Sequence, residues 1–401
     1  MAGPTIMQIV PRVETGGSEQ SAIEINAALV RAGATSIVVS QGGRLAEKIE
    51  AEGGQNIILP AASKNPIIMV RNAAKLARLI ETEFVDLVHA RSRAPAWSAL
   101  YAARAMKRPF VTTYHGSYAS PAPFKTTYNS VMARGDVVIA NSRWTADMVH
   151  ERHGTPYEKM PIIPRGLDAS QFDPAAVTQE RRAALQQAWG LKPDDIVLLQ
   201  AARLTGWKGQ RTVIEAAALL KAQGRLGKAV FILAGASQGR DKYEAELREA
   251  IGKAGLTDHV RIVGHCDDMA AAHALAHVTI IASIQAETFG RASIEAQAMG
   301  SPVIVTDIGA APETLVPAHL DPARFTGWLV PPRDSQALAE KLAETLTLSR
   351  QQRDEIGMRA RDHVARNFSL IAMQRRTLSV YDCLLGTHLA ERFNGDVVNL
   401  P

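Results

Sequence analysis

The chain has 401 residues, 46% hydrophobic, 5% aromatic and 21% charged, which excludes a disordered chain and exceeds one ordinary core, so two α/β domains are expected. No stretch approaches the roughly 18 continuous apolar residues of a spanning helix, and the start at Met1 has no basic segment ahead of its apolar part, so the reading is a cytoplasmic protein. A net charge of +5 favours anionic partners, but no dense Lys/Arg run with interleaved aromatics points to nucleic acid, and Cys266 and Cys383 lack partners at disulfide or zinc spacing.

Short apolar runs alternate with longer helical patterns, the signature of repeated βα units and parallel sheets. Strands are expected at 6–10, 36–39, 57–59, 87–89, 110–113, 137–140 and 161–163. A polar break at 168–174 follows, then a helix up to Trp189-Gly190. The alternation restarts with strands at 196–199, 230–234, 260–263, 278–281, 303–306 and 327–330. Beyond Pro331-Pro332 the pattern is helical, with Asp334 and Ser369 as N-caps of segments at 334–348 and 369–386. The expected domains are 1–174 and 175–368, followed by a terminal helical segment, 369–401.

In the first half, Gly16-Gly17-Ser18-Glu19 follows the first strand and opens a helix. Glycines there let a ligand approach backbone N–H groups that attract anions, although an ordinary turn with a cap explains them nearly as well. The segment His89-Ala-Arg91-Ser-Arg93 puts two guanidinium forks at a strand end, where an anionic acceptor or only solvent would meet them. Thr112-Thr-Tyr-His115 and Asn141-Ser142 end two further strands, the position where open α/β sheets bind ligands. Lys64, Arg71, Lys75 and Arg78 form the basic face of an amphipathic helix, which suits either an anionic lipid surface or a plain solvated exterior.

The second half carries Ala202-Arg203-Leu-Thr-Gly-Trp-Lys208-Gly209 just past its first strand. A guanidinium fork and a movable ammonium in one such loop suit a diphosphate. After the run 278–281 comes Glu287-Thr-Phe289-Gly290-Arg291-Ala-Ser-Ile-Glu295, read as a strand, a turn and a helix with Glu295 in its second turn. Carboxylates accept hydrogen bonds from hydroxyls, and helix-start amides attract phosphate. A solvated helix start with two surface acids fits the pair alone equally. Asp267-Asp268 reads as a helix cap.

These segments, in this order, resemble the family 4 retaining glycosyltransferases of the GT-B superfamily, and within them enzymes of lipopolysaccharide-core assembly. The resemblance rests on Gly-Gly-x-Glu at 16–19, Arg-Leu-x-x-x-Lys-Gly at 203–209 and Glu-x7-Glu at 287–295, with Arg165 where the family commonly has Asn and Gly309-Ala310 where it has a glycine pair. It implies two facing Rossmann-like doubly wound domains, with C-terminal helices crossing back to the first. It further implies a nucleoside-diphosphate-sugar donor, GDP-mannose being the specific guess, held by Gly17, Arg203, Lys208, Glu287, Phe289, Gly290, Arg291 and Glu295. Arg203, Lys208, Glu287 and His115 would be catalytic; Glu19, Arg91 and Arg93 would meet an anionic glycan or lipid-linked acceptor at the inner face of the cytoplasmic membrane. No metal or other cofactor is expected. A nucleotide-sugar epimerase of the same architecture and a non-catalytic glycan-binding module are the alternatives.

Overall fold

Uninterrupted runs of Val, Ile and Leu suit strands buried on both faces, and such strands pair in parallel with helices returning the chain between them. The computed structural model describes residues 3–14, 17–117 and 123–393, and in it these runs form two six-stranded parallel sheets. One unit reaches Gly166 and regains the chain from Leu370; the other is continuous, Leu167–Ser369.

The first unit is built from β1 (Thr5–Ile9), α1 (Gly17–Arg31), β2 (Thr35–Ser40), α2 (Ala46–Ala51), β3 (Gln55–Ile58) and α3 (Pro66–Thr82). It continues with β4 (Val85–Ala90), α4 (Arg93–Ala105), β5 (Phe110–Tyr114), α5 (Pro123–Asn129), β6 (Val137–Ala140) and α6 (Arg143–His153). Its sheet order is β3-β2-β1-β4-β5-β6. The segment 161–163, read as a strand, is only an isolated bridge between Ala140 and Ile162. Pro161 and Pro164 flank it, and neither has an N–H to extend a ladder. Lys64 precedes α3 rather than lying on it, because Asn65 caps the helix and Pro66 takes its first position.

The second unit holds α7 (Gln179–Ala188), β7 (Ile196–Ala201), α8 (Gln210–Ala222), β8 (Ala229–Ala234), α9 (Asp241–Lys253), β9 (Val260–Gly264) and α10 (Met269–Leu275). Then come β10 (Val278–Ile281), α11 (Arg291–Ala298), β11 (Val303–Thr306), β12 (Gly327–Val330), α12 (Ser335–Leu346) and α13 (Arg350–Asn367). Its order, β12-β11-β10-β7-β8-β9, repeats the first arrangement. Asp268 and Asp334 cap α10 and α12 through their carboxylates. The units divide ahead of the polar break at 168–174, since Leu167 N–H donates to the Phe368 carbonyl at 2.7 Å.

The last helices, α14 (Leu370–Leu385) and α15 (Leu389–Arg392), pack on the first unit. Met373, Leu378, Tyr381, Leu389 and Phe393 share a core with Ile6, Ile25 and Leu29. Gln374 donates to the Glu24 carbonyl at 2.7 Å, and the Tyr381 hydroxyl lies 2.6 Å from His89 Nδ1. His89 Nε2 meets the Thr113 hydroxyl at 2.8 Å, so both ring nitrogens are engaged. Burial holds the His89 pKa well below the usual value and pushes the Tyr381 phenol up to about 12, so neither titrates near neutrality. Tyr381→Phe strips a partner from a fully buried imidazole and is expected to cost about 1–3 kcal/mol of stability, read from urea unfolding.

Candidate active site

In an open parallel sheet, ligands bind beyond the carboxyl ends of the strands, at the point where strand order reverses. In the second unit that point lies between β7 and β10, whose neighbouring strands lead away in opposite directions. The chain segments leaving these two strands are the ones that carry Lys208 and Glu287. An open recess of about 420 Å³ forms there, lined by Gln200–Ala202, Lys208, Ile280–Ser283, Glu287 and Gly290–Ala292.

The loop after β7 is fixed from several sides. Gln200 donates to the Lys208 carbonyl at 2.7 Å, Gln210 to the Arg203 carbonyl at 3.0 Å, and Ile284 N–H to the Trp207 carbonyl at 2.8 Å. Gly209 turns the chain into α8 with φ +74°, and a Cβ there would sit 1.8 Å from the Ala282 carbonyl oxygen. Only glycine allows this loop to approach β10 so closely. Arg203 is exposed and its guanidinium makes no ion pair among the described residues.

Lys208 and Glu287 meet directly. Their Nζ–Oε2 distance is 2.7 Å, with 17% and 18% of the two side chains exposed. The ammonium also lies 4.4 Å from the centre of the Trp207 ring. Glu287 Oε1 accepts from the Ser283 hydroxyl. On the far side, the Glu287 backbone bridges Gly309, whose φ of +67° and missing Cβ permit the contact. Gly290 opens α11, and Arg291 pairs with Glu295 at 2.7 Å across one helical turn. Burial raises the Glu295 pKa against the pull of that guanidinium. Such a recess offers two kinds of contact: cations and helix-start amides for phosphates, and carboxylates for hydroxyls.

The Phe289 ring lies outside the recess lining. The ring is buried against Leu167, Ile294, Ala298, Val364 and Phe368, edge-on to Phe368 at 5.7 Å between centroids. An apolar residue directly before the helix is drawn into the core beneath it, which leaves backbone rather than side chain at the ligand side.

In the first unit the reversal lies between β1 and β4. Of the Gly-Gly element, Gly16 lies outside the described residues; Gly17 opens α1, and Glu19 accepts from Glu14 N–H at 2.8 Å. The Arg165 guanidinium presses on Gly17, where a Cβ would lie 2.0 Å from it, and also meets His115 Nδ1 at 3.1 Å. Burial, then the nearby Arg165 and Arg91, keep His115 well below the usual histidine pKa. Arg91 is not at the surface. It is 3% exposed and donates through Nε to Gln8 Oε1 at 2.7 Å, because its place beyond β4 faces the core that α14 closes. Arg93 donates to Asn129 at 2.7 Å. Asn141 and Ser142 are buried around Thr145 at the start of α6. Among the described residues, no group of three or more His, Cys, Asp or Glu side chains is placed to hold a metal ion.

Sequence reasoning passed over Ser283, Trp207 and the ligand-side position of Arg165. Ser283 carried a usable signal, a polar residue at a strand's carboxyl end four positions before Glu287.

Two Rossmann-type units, the second with a cation-and-carboxylate recess at its strand reversal, define the GT-B class of glycosyltransferase. Residues 15–171 match the family described as Glycosyltransferase Family 4, and residues 181–363 that described as Glycosyl transferases group 1. A crystal structure of a glycosyltransferase from Rickettsia africae is 32% identical, covers 97% of this chain and all of that one, and superposes with a TM-score of 0.86. The D-inositol 3-phosphate glycosyltransferase of Jonesia denitrificans is 29% identical over 74% of this chain and 71% of its own. A Salmonella typhimurium protein described as the colanic acid biosynthesis glycosyltransferase WcaL is 29% identical over 69% of this chain and 64% of its own. The chain belongs to the family 4, group 1 glycosyltransferases.

Gly209→Ala forces a side chain into a left-handed backbone and against Ala282. A loss of about 1–3 kcal/mol is expected, measured by thermal and urea unfolding.

Proposed function

We propose that this chain is a retaining hexosyltransferase, moving a sugar from a nucleoside-diphosphate donor to an anionic glycan or lipid-linked acceptor. GDP-mannose and lipopolysaccharide-core assembly are the donor and setting to test first. The observation that carries the reading is the recess in which Lys208, Glu287 and the start of α11 meet at one strand reversal, with Arg203 in the same loop. The acceptor hydroxyl attacks the anomeric carbon on the face that the diphosphate leaves. The C–O bond to phosphate breaks, the new glycosidic bond forms, and the hydroxyl proton passes to the departing phosphate oxygen. Arg203, Lys208 and the helix-start amides meet the charge that grows on the leaving group. Glu287 receives sugar hydroxyls and Glu295 those of the ribose.

For the anionic acceptor, support comes from Arg165 against Gly17 and His115, which takes over the part expected of Arg91. The relative that acts on an inositol phosphate points the same way.

Purified protein given UDP-, GDP- and ADP-sugars, with and without acceptor glycans, should release nucleoside diphosphate and form a product that keeps the donor's anomeric configuration by NMR. A rearranged free sugar without acceptor would make it an epimerase; no turnover of any donor would make it a binding module. In calorimetry, Glu295→Ala should weaken free nucleoside diphosphate about tenfold or more, while Glu287→Ala changes that affinity less and lowers turnover. The reverse order would overturn the two roles.

A peripheral station at an anionic membrane is part of the proposal. No helix among the described residues is long and apolar enough to cross a bilayer. The outward stripe of α3, however, carries Ile67 and Val70, 64% and 71% exposed, beside exposed Arg71, Lys75 and Arg78. Each such cation near an anionic surface contributes about 1 kcal/mol, and the apolar pair can enter the headgroup boundary. Flotation should recover the protein with anionic but not neutral vesicles. Binding should fall in high salt and on changing Arg71, Lys75 and Arg78 to Glu. Equal recovery with both vesicle types would refute the electrostatic contact.

A further inference from the structure

We propose that Ser283 is a positioning residue of the donor recess: its hydroxyl fixes the Glu287 carboxylate, and the fixed carboxylate holds the Lys208 ammonium where a diphosphate would arrive. The inference rests on the functional reading above for its catalytic meaning, and on geometry alone for the chain of contacts.

A lysine ammonium sits on a flexible four-carbon stem and is a movable point charge. To hold it in one place its counter-ion must itself be held. Glu287 lies in the connection between β10 and α11, and its side chain has several rotors, whose freezing costs free energy. Ser283 has one short rotor and lies two residues past the end of β10, with 1% of its surface exposed. Its backbone is also tied down, since the Thr306 hydroxyl at the end of β11 donates to the Ser283 carbonyl at 2.7 Å. Rigidity therefore passes from the sheet to Ser283, from its Oγ–H to Glu287 Oε1, and from Glu287 Oε2 to Lys208 Nζ at 2.7 Å.

The opposite side of the ammonium is equally defined. The Trp207 ring lies 4.4 Å from Nζ, and Gln200, 1% exposed, grips the Lys208 carbonyl at 2.7 Å. Backbone and ring set where the stem begins and what it lies against. Among the described residues, the Glu287 carboxylate is the hydrogen-bonding partner that fixes where the charge ends. Ser283 borders the recess with 1% of its surface exposed, and its hydroxyl is given to Glu287, so it acts through that carboxylate and its effect must disappear once the carboxylate is neutralised.

That dependence is the test, and its first arm needs no donor. Limiting acylation of the full-length protein with sulfo-NHS-acetate, read by peptide mass spectrometry, reports how available the Lys208 amine is. Exposed Lys253 on α9 serves as the internal reference. Ser283→Ala should raise Lys208 acylation several-fold relative to Lys253, Glu287→Gln should raise it at least as much, and the double variant should not exceed Glu287→Gln alone. The second arm follows a sugar nucleotide that the wild type turns over. Ser283→Ala should slow it about tenfold, and should cost nothing further in the Glu287→Gln background. Unchanged Lys208 acylation in Ser283→Ala, or an effect of equal size in both backgrounds, overturns the inference. If the wild type turns over no donor, the functional reading fails while the acylation arm still decides whether Ser283 holds Lys208 through Glu287.

Discussion

The second unit is organised around one ion pair at one topological reversal. Lys208 and Glu287 leave different strands, 79 positions apart in the chain, and close on each other across the gap where β7 and β10 part company. A pair with so little of either side chain exposed pays for its desolvation only when the remaining hydrogen-bonding capacity is also used. Around this pair it is used, through Ser283 on the carboxylate and the Trp207 face beside the ammonium. Gly209 and Gly309 follow from the same constraint, because Gly209 lets the Lys208 loop approach Ala282 and Gly309 lets its loop approach the Glu287 backbone more closely than a side chain would permit.

In the first unit the corresponding reversal is dominated by positive charge turned inward. Arg91 and His89 lie beneath α14 rather than beside solvent, and the imidazole stays neutral through burial next to that guanidinium. Burial likewise lowers the Arg91 pKa, partly offset by Tyr381 and Glu24. The Arg165 guanidinium stands instead against Gly17 at the α1 start and reaches His115, both from distant parts of the same unit. Two arginines two positions apart thus have separate duties, one inside the fold and one pinned to Asn129.

Much of this was legible in the chain. The runs 278–281, 303–306 and 327–330 coincide with β10, β11 and β12, since a strand buried on both faces leaves a continuous apolar signature. Glu295 does fall in the second turn of its helix, as the Phe289-Gly290 step implies. What escaped reading depended on long-range contacts. The inward turn of Arg91 requires α14, whose Tyr381 lies 292 positions from His89, and no local pattern reports such a neighbour. The burial of the Phe289 ring against Val364 and Phe368 is likewise set by a distant helix. The apolar 161–163 run failed as a strand for a reason visible in the sequence, Pro161 at its start and Pro164 directly after it.

The discontinuity of the first unit has a consequence for biogenesis. As the chain leaves the ribosome, the second unit, Leu167–Ser369, is complete while the first still lacks the helix that covers His89 and Arg91. The segment synthesised first is therefore among the last to mature. Until Tyr381 emerges, a sheet with a buried-type histidine and arginine must wait with part of one face uncovered. Domains generally close as they are made, from the N-terminus onward; here that order is inverted, and a nascent chain whose first 369 residues have emerged would carry a finished second unit attached to an unfinished, sticky first one.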